Sequence, residues 1–166
     1  MVLTKEELIA TLQNEVRILV HLAGKVDRSK GDYRPSEKQR SILELLQYMV
    51  IMGPNLVRGI QAGAFDGEAW GKAAAAAKAM SFDEAVAAIE QQSAWYAQIF
   101  GTFADGDFRQ KMELFGRNDS KGSLIVNLVV SGYAAYRTQL FLYLKGCGRE
   151  ELNTMNLWAG MDGPMG

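Results

Sequence analysis

The chain has 166 residues, of which 48% are hydrophobic, 22% charged and 10% aromatic, the size and mix of one domain with a full core. Eighteen basic side chains against nineteen acidic ones leave a net charge of −1, so the overall balance carries no electrostatic footprint for nucleic acid. A single Cys and a single His exclude an internal disulfide framework, a Cys-rich zinc site and most mechanisms that rest on a well-placed imidazole.

The dominant period is helical. Thr4 and Glu7 fit a capping box, and Leu8, Leu12, Leu19, Leu22 and Val26 follow at helical spacing, which predicts a first helix from about Lys5 to Arg28. A polar turn with Gly31 and Pro35 as breakers comes next. A second helix is expected from about Glu37 to Ala62, with Ile42, Leu45, Leu46, Met49, Leu56 and Ile60 as its apolar stripe. Pro54 lies inside it and should kink or loosen one turn, because it removes a backbone donor. An Ala-rich short helix then ends near Met80. Ser81 and Glu84 form another capping box that opens a third long helix to about Phe100. The stretch from Gly101 to Asp119 is mixed. Ser120 to Lys145 reads as the fourth long helix, ended by the Gly-Cys-Gly at residues 146–148. The expected fold class is all-α, a four-helix bundle with longer connections after helices two and three, covering residues 1–166 as one domain.

The first residues lack a basic segment followed by an apolar core, unlike a secretory signal. The longest uncharged stretch in the C-terminal half, Gly122 to Tyr136, has fifteen residues, short of the roughly 18 to 20 that span a bilayer. The expectation is a soluble, cytoplasmic protein without membrane or nucleic-acid partners. Charge is nonetheless uneven. Lys25 to Arg40 carries six basic and three acidic residues, whereas Ala62 to Asp107 carries two basic and seven acidic. Steering of an anionic ligand is one reading of the basic block. Solvated loops and helix faces are the preferred one, since short mixed blocks rarely define a site.

Ser41 to Met49, with the sequence SILELLQYM, resembles the second-helix signature of the DinB/YfiT-like metalloenzyme superfamily. Val129 to Gly146, VVSGYAAYRTQLFLYLKG, resembles its last-helix signature, and NLWAG at Asn156 to Gly160 is similar to a tail seen in members. The resemblance implies a bundle of the DinB/YfiT-like type, often dimeric. It also implies a divalent metal held by one His of the second helix and two His four apart on the last. This sequence departs from that pattern at every ligand. The second-helix position is Tyr48 and the last-helix pair is Gly132 and Tyr136, while the only His, His21, lies on the first helix. A neutral phenol is a poor ligand near neutral pH and glycine offers no side chain. Glu44 is the one nearby acid on the second helix, and Asn127 to Lys145 contains none. One carboxylate and two phenols do not make a metal site, so the family metal is expected to be lost and no cofactor is expected.

Tyr48, Gly132 and Tyr136, continued along one helix face by Gln139 and Tyr143, form a candidate pocket for a small polar molecule; tyrosines that simply fill the volume are the competing and preferred reading. His21, between Arg17 and Lys25, reads as a partly exposed helix residue. Cys147 reads as a capping-turn residue. Asp105 and Asp107 resemble a calcium-loop start without the ligand series that should follow. Arg137 is read as paired in the bundle or at its mouth, with anion binding as the alternative. Two functions follow. The preferred one is a metal-free bundle acting as a small-molecule-binding or interaction protein. The other is an active DinB-like metal-dependent hydrolase or thiol-dependent transferase, against which the missing His triad speaks. Trp70, Trp95, Trp158 and eight Met suggest a homodimer, with Val86, Ile89 and Phe100 on one side of the third long helix and Trp95 and Tyr96 near another.

Overall fold

Each of the three long helices that begin the bundle starts at a reciprocal cap. In helix α1, Lys5–Ala23, the Thr4 hydroxyl accepts from the Glu7 N–H at 3.1 Å while the Glu7 carboxylate accepts from the Thr4 N–H at 2.7 Å. The same device, Ser41 with Glu44, opens α2 at Ile42–Ala62, and Ser81 with Glu84 opens α4 at Phe82–Gly101. Two orphan N–H groups are satisfied at each end. These observations come from a computed structural model that describes residues 3–164.

Two helix boundaries differ from the sequence expectation. The first helix stops at Ala23 rather than Arg28, because Gly24 follows and the Asp27 carboxylate instead caps a separate 3-10 turn, Arg28–Lys30. Helix α2 begins at Ile42 rather than Glu37. Its start is set by the Ser41–Glu44 box, a signal that the hydrophobic period alone did not single out.

Helix α3, Gly67–Lys78, is capped by Asp66 and lies against α2. The stretch expected to be mixed contains a two-stranded hairpin, β1 at Lys111–Leu114 paired antiparallel with β2 at Arg117–Ser120. Its two-residue turn, Phe115 and Gly116, has positive φ at both positions, 51° and 74°, as a type I′ turn requires. Asp107 belongs to this connection as a structural group, accepting from the Ala104 N–H at 2.8 Å.

The last long helix consists of α5, Lys121–Leu124, a π-helical turn over Ile125–Val130, and α6, Ser131–Gly146. Cys147 closes α6 through its backbone N–H, and burial raises the pKa of its thiol. It is a half-buried capping-turn residue.

The architecture is the expected all-α four-helix bundle, with α3 and the hairpin in the two longer connections. Helix α1 packs on α4 and α6, and α2 packs on α3, α4 and α6. The core between them includes Leu12, Leu19, Leu22, Leu45, Met49, Phe100 and Leu140. Among the described residues no helix is long and apolar enough to cross a membrane.

Pro54 does not interrupt α2, which runs unbroken through it. Proline lacks the N–H that would bond the carbonyl four residues earlier. That carbonyl, Val50 O, instead accepts from the Gln92 side-chain amide of α4 at 3.0 Å, as does Met49 O at 3.0 Å. A buried glutamine thus supplies the donor that proline lacks.

Candidate functional site

Helices α2 and α6 bring Tyr48 and Tyr136 face to edge, with ring centroids 5.0 Å apart. Gly132 lies one turn before Tyr136. A Cβ built at Gly132 would come within 2.9 Å of the Met52 methyl and 3.1 Å of its sulfur, so the Met52 thioether fills the space a side chain there would need. Trp70 of α3 packs on Tyr48 at 6.2 Å and on Phe65 at 5.5 Å, and Phe65 reaches the hairpin tip residue Phe115 at 5.1 Å. These side chains surround a cleft of about 500 Å³ that is mostly aromatic and apolar, lined by Tyr48, Met52, Trp70, Phe115, Gly132 and Tyr136 among others.

The structure therefore brings Tyr48, Gly132 and Tyr136 to one cleft and leaves Gln139 out of it. The Gln139 amide is spent on the Tyr143 hydroxyl of the same helix, because residues 132 and 136 lean toward α2 while the helix turns 139 away.

Phe115 is a bulky residue in the left-handed region and is 59% exposed. The hairpin turn accounts for its backbone conformation, and its ring lies at the mouth of the cleft against Phe65. The Arg40 guanidinium sits over the Tyr48 ring, 4.0 Å from its centroid. Burial first, and then the neighbouring Tyr136 phenol, push the Tyr48 pKa up to about 12 despite Arg40.

These residues do not fit a divalent metal. Tyr48 holds its proton more firmly than an ordinary phenol, Gly132 offers no donor, and the space a side chain there would need is taken by the methyl and sulfur of Met52. Glu44 is committed elsewhere, accepting from the Ser41 N–H at 2.8 Å and pairing with Arg34 at 3.2 Å. Among the described residues no group of three or more His, Cys, Asp or Glu side chains gathers at a common point.

The remaining polar residues form a separate buried centre that sequence reasoning missed except for Arg137. Arg137 pairs with Glu15 of α1 at 2.6 Å and also donates to the Leu157 carbonyl. One turn earlier, Tyr133 bonds Tyr96 at 2.8 Å and donates to Gln92. A Cβ at Gly53 would fall 2.0 Å from the Tyr96 hydroxyl and 2.8 Å from that of Tyr133. The signal available in the sequence was Gly53-Pro54 in mid-helix, two poor helix formers side by side.

Tyr96 shares the buried face of α4 with Ile89 and Phe100, so it does not form a second packing face with Trp95, as one helix argument for a dimer assumed. Trp95 instead lies under Arg58 at 4.9 Å. His21 lies with Asn156 at 3.1 Å and Asp162 at 3.9 Å, half-buried. Burial first, and Lys25 second, lower its pKa.

The chain is similar in structure to a DinB-like protein, YjoA, from Bacillus subtilis, with a TM-score of 0.67 at 16% identity, over 88% of this chain and 94% of that one. At that identity the likeness establishes the fold. No family model matches the sequence, and no curated protein matches it.

Proposed function

We propose that the protein is a metal-independent binding protein that uses a DinB-like bundle to hold a small organic molecule in the cleft between Tyr48, Trp70, Phe115 and Tyr136. The observation that carries this reading is the Met52 thioether set against Gly132 beside two phenols. With no imidazole at these positions it supports a site without metal, and it sets an aromatic wall beside a volume of about 500 Å³, within the range of small-molecule sites.

Metal analysis of protein purified without a His tag tests the first half, with divalent metal far below one per chain expected. A stoichiometric divalent metal would overturn it. Binding of a neutral aromatic fluorophore, N-phenylnaphthylamine, tests the second, with binding weakened by Trp70→Ala as the expected result; no binding would overturn it. The proposal extends to a homodimer, supported by Trp158 at 68% and Leu142 at 60% exposure, and sedimentation at micromolar protein reads it directly. A monomeric mass without concentration dependence removes the dimer.

A further inference from the structure

Beyond the Tyr48–Trp70 wall lies a second cleft of about 480 Å³, between the segment that leads into α2 and the end of α3. Tyr48 and Trp70 line both clefts, so one pair of rings serves each of them. The second has a different character. Arg34, Lys38, Arg40 and Lys78 line it against the carboxylates of Glu37 and Glu44. Arg34 and Glu44 neutralise each other at 3.2 Å. Lys38, Arg40 and Lys78 form no ion pair among the described residues, which leaves three free cations facing Glu37.

The chain spends specific contacts on placing these charges. The Gln47 amide of α2 donates to the carbonyls of Lys78 at 3.2 Å and Met80 at 2.8 Å, which fixes the end of α3 beside α2. Arg40 immediately precedes the Ser41 cap and stacks on Tyr48. A guanidinium whose carbon sits over a ring still has N–H donors for a planar anion.

We infer that the ligand of this site is an amphipathic organic anion: its flat apolar body lies against Tyr48 and Trp70, and its carboxylate, phosphate or sulfonate is held by Arg40 and Lys78, all four of which line the second cleft. This inference rests on the binding role proposed above and adds the charge of the ligand to it. The cations that appeared as a diffuse basic block in the sequence become a site because the fold adds Lys78, from an acidic stretch, to Lys38 and Arg40.

Two fluorophores separate the inference from the reading beneath it. Anilinonaphthalenesulfonate carries an aromatic body and an anion, and N-phenylnaphthylamine carries the same body without the charge. The sulfonate is expected to bind about tenfold more tightly, as one charge-assisted hydrogen bond would give. That advantage should shrink as salt is raised. The double substitution Arg40→Gln with Lys78→Gln should remove it by weakening the sulfonate far more than the neutral probe, while Trp70→Ala should weaken both. Both altered cations are exposed, so the fold should survive, and a thermal melt checks it. Equal affinity for the two probes, with no response to the double substitution, would overturn the anion while leaving the cleft. Sulfonate binding that ignores both the double substitution and Trp70→Ala would place the probe elsewhere and overturn the inference. Failure of both probes to bind would remove the cleft as a binding site, and the anion with it.

Discussion

Helix α6 presents two polar surfaces one residue apart, and they are built to opposite standards. Tyr133 and Arg137 face the core, where each meets a partner from another helix, and no buried side-chain polar atom among the described residues lacks one. Gly132 and Tyr136 face the cleft, half-buried, against a ring pair and a thioether. A desolvated polar group without a partner costs free energy, so a buried network persists only when it is complete. The first surface is complete within the chain and reads as scaffold. The second leaves aromatic area and nearby cations uncommitted, as the proposed binding role requires. Position on the same helix thus says little; how fully a cluster is satisfied says more.

Removing one member of the complete cluster should have the largest effect. Arg137→Ala strands Glu15, whose side chain is only 10% exposed, and releases the Leu157 carbonyl. A loss of about 3–5 kcal/mol in urea denaturation is expected, as for other broken buried pairs. Replacing both partners by apolar residues, Glu15→Leu with Arg137→Met, should cost much less than Arg137→Ala. If Arg137→Ala changed stability as little as an exposed substitution does, the contrast between the two surfaces would fail.

Gly53→Ala comes next. Its Cβ would sit 2.0 Å from the Tyr96 hydroxyl, so the ring must move, at a cost of about 1–3 kcal/mol for overpacking. In the Tyr96→Phe background the obstructing oxygen is gone and the same substitution should cost less. Additive losses in the two backgrounds would show that the phenol pair does not set the space at Gly53.

These two centres also mark what could be read from the sequence. Caps at Thr4–Glu7 and Ser81–Glu84 are local chemistry, and the helices they open were legible for that reason. The hairpin was not, because Phe115-Gly116 lacks the Asn-Gly or Asp-Gly signal and its strands are only four residues each. The Tyr48–Tyr136 neighbourhood was suggested by resemblance to known signatures, whereas Gln139 was assigned to the same face by spacing alone and turned out to bond Tyr143. Pairings such as Glu15 with Arg137 and Gln92 with Val50 join residues far apart in the chain, and no periodicity encodes them. The charge pattern shows the same limit. Lys38 and Arg40 looked diffuse because the cation that completes their cleft, Lys78, belongs to a stretch with net negative charge.

The smallest expected effect is a pH dependence that separates the two sets of tyrosines. Burial and Tyr136 push the Tyr48 pKa up to about 12 from an ordinary 10.0, and burial raises those of Tyr96 and Tyr133 as well. Between the ordinary value and the raised one, the unfolded chain releases a phenol proton that the folded chain retains. The unfolded state then binds fewer protons, so stability falls as pH rises through this window. The contribution is fully present below pH 10.0 and is lost as pH passes about 12. Tyr96 and Tyr133 are enclosed and should carry most of the slope. Tyr48 is only half-buried, so solvent screens its share. Denaturation curves collected across this alkaline range should therefore show Tyr48→Phe slightly flatter than the wild type and Tyr96→Phe flatter still. A Tyr48→Phe slope equal to that of the wild type would mean that this phenol is as free as one in water. The cleft would then be open to bulk solvent at its floor, rather than a half-dry surface that a ligand can complete.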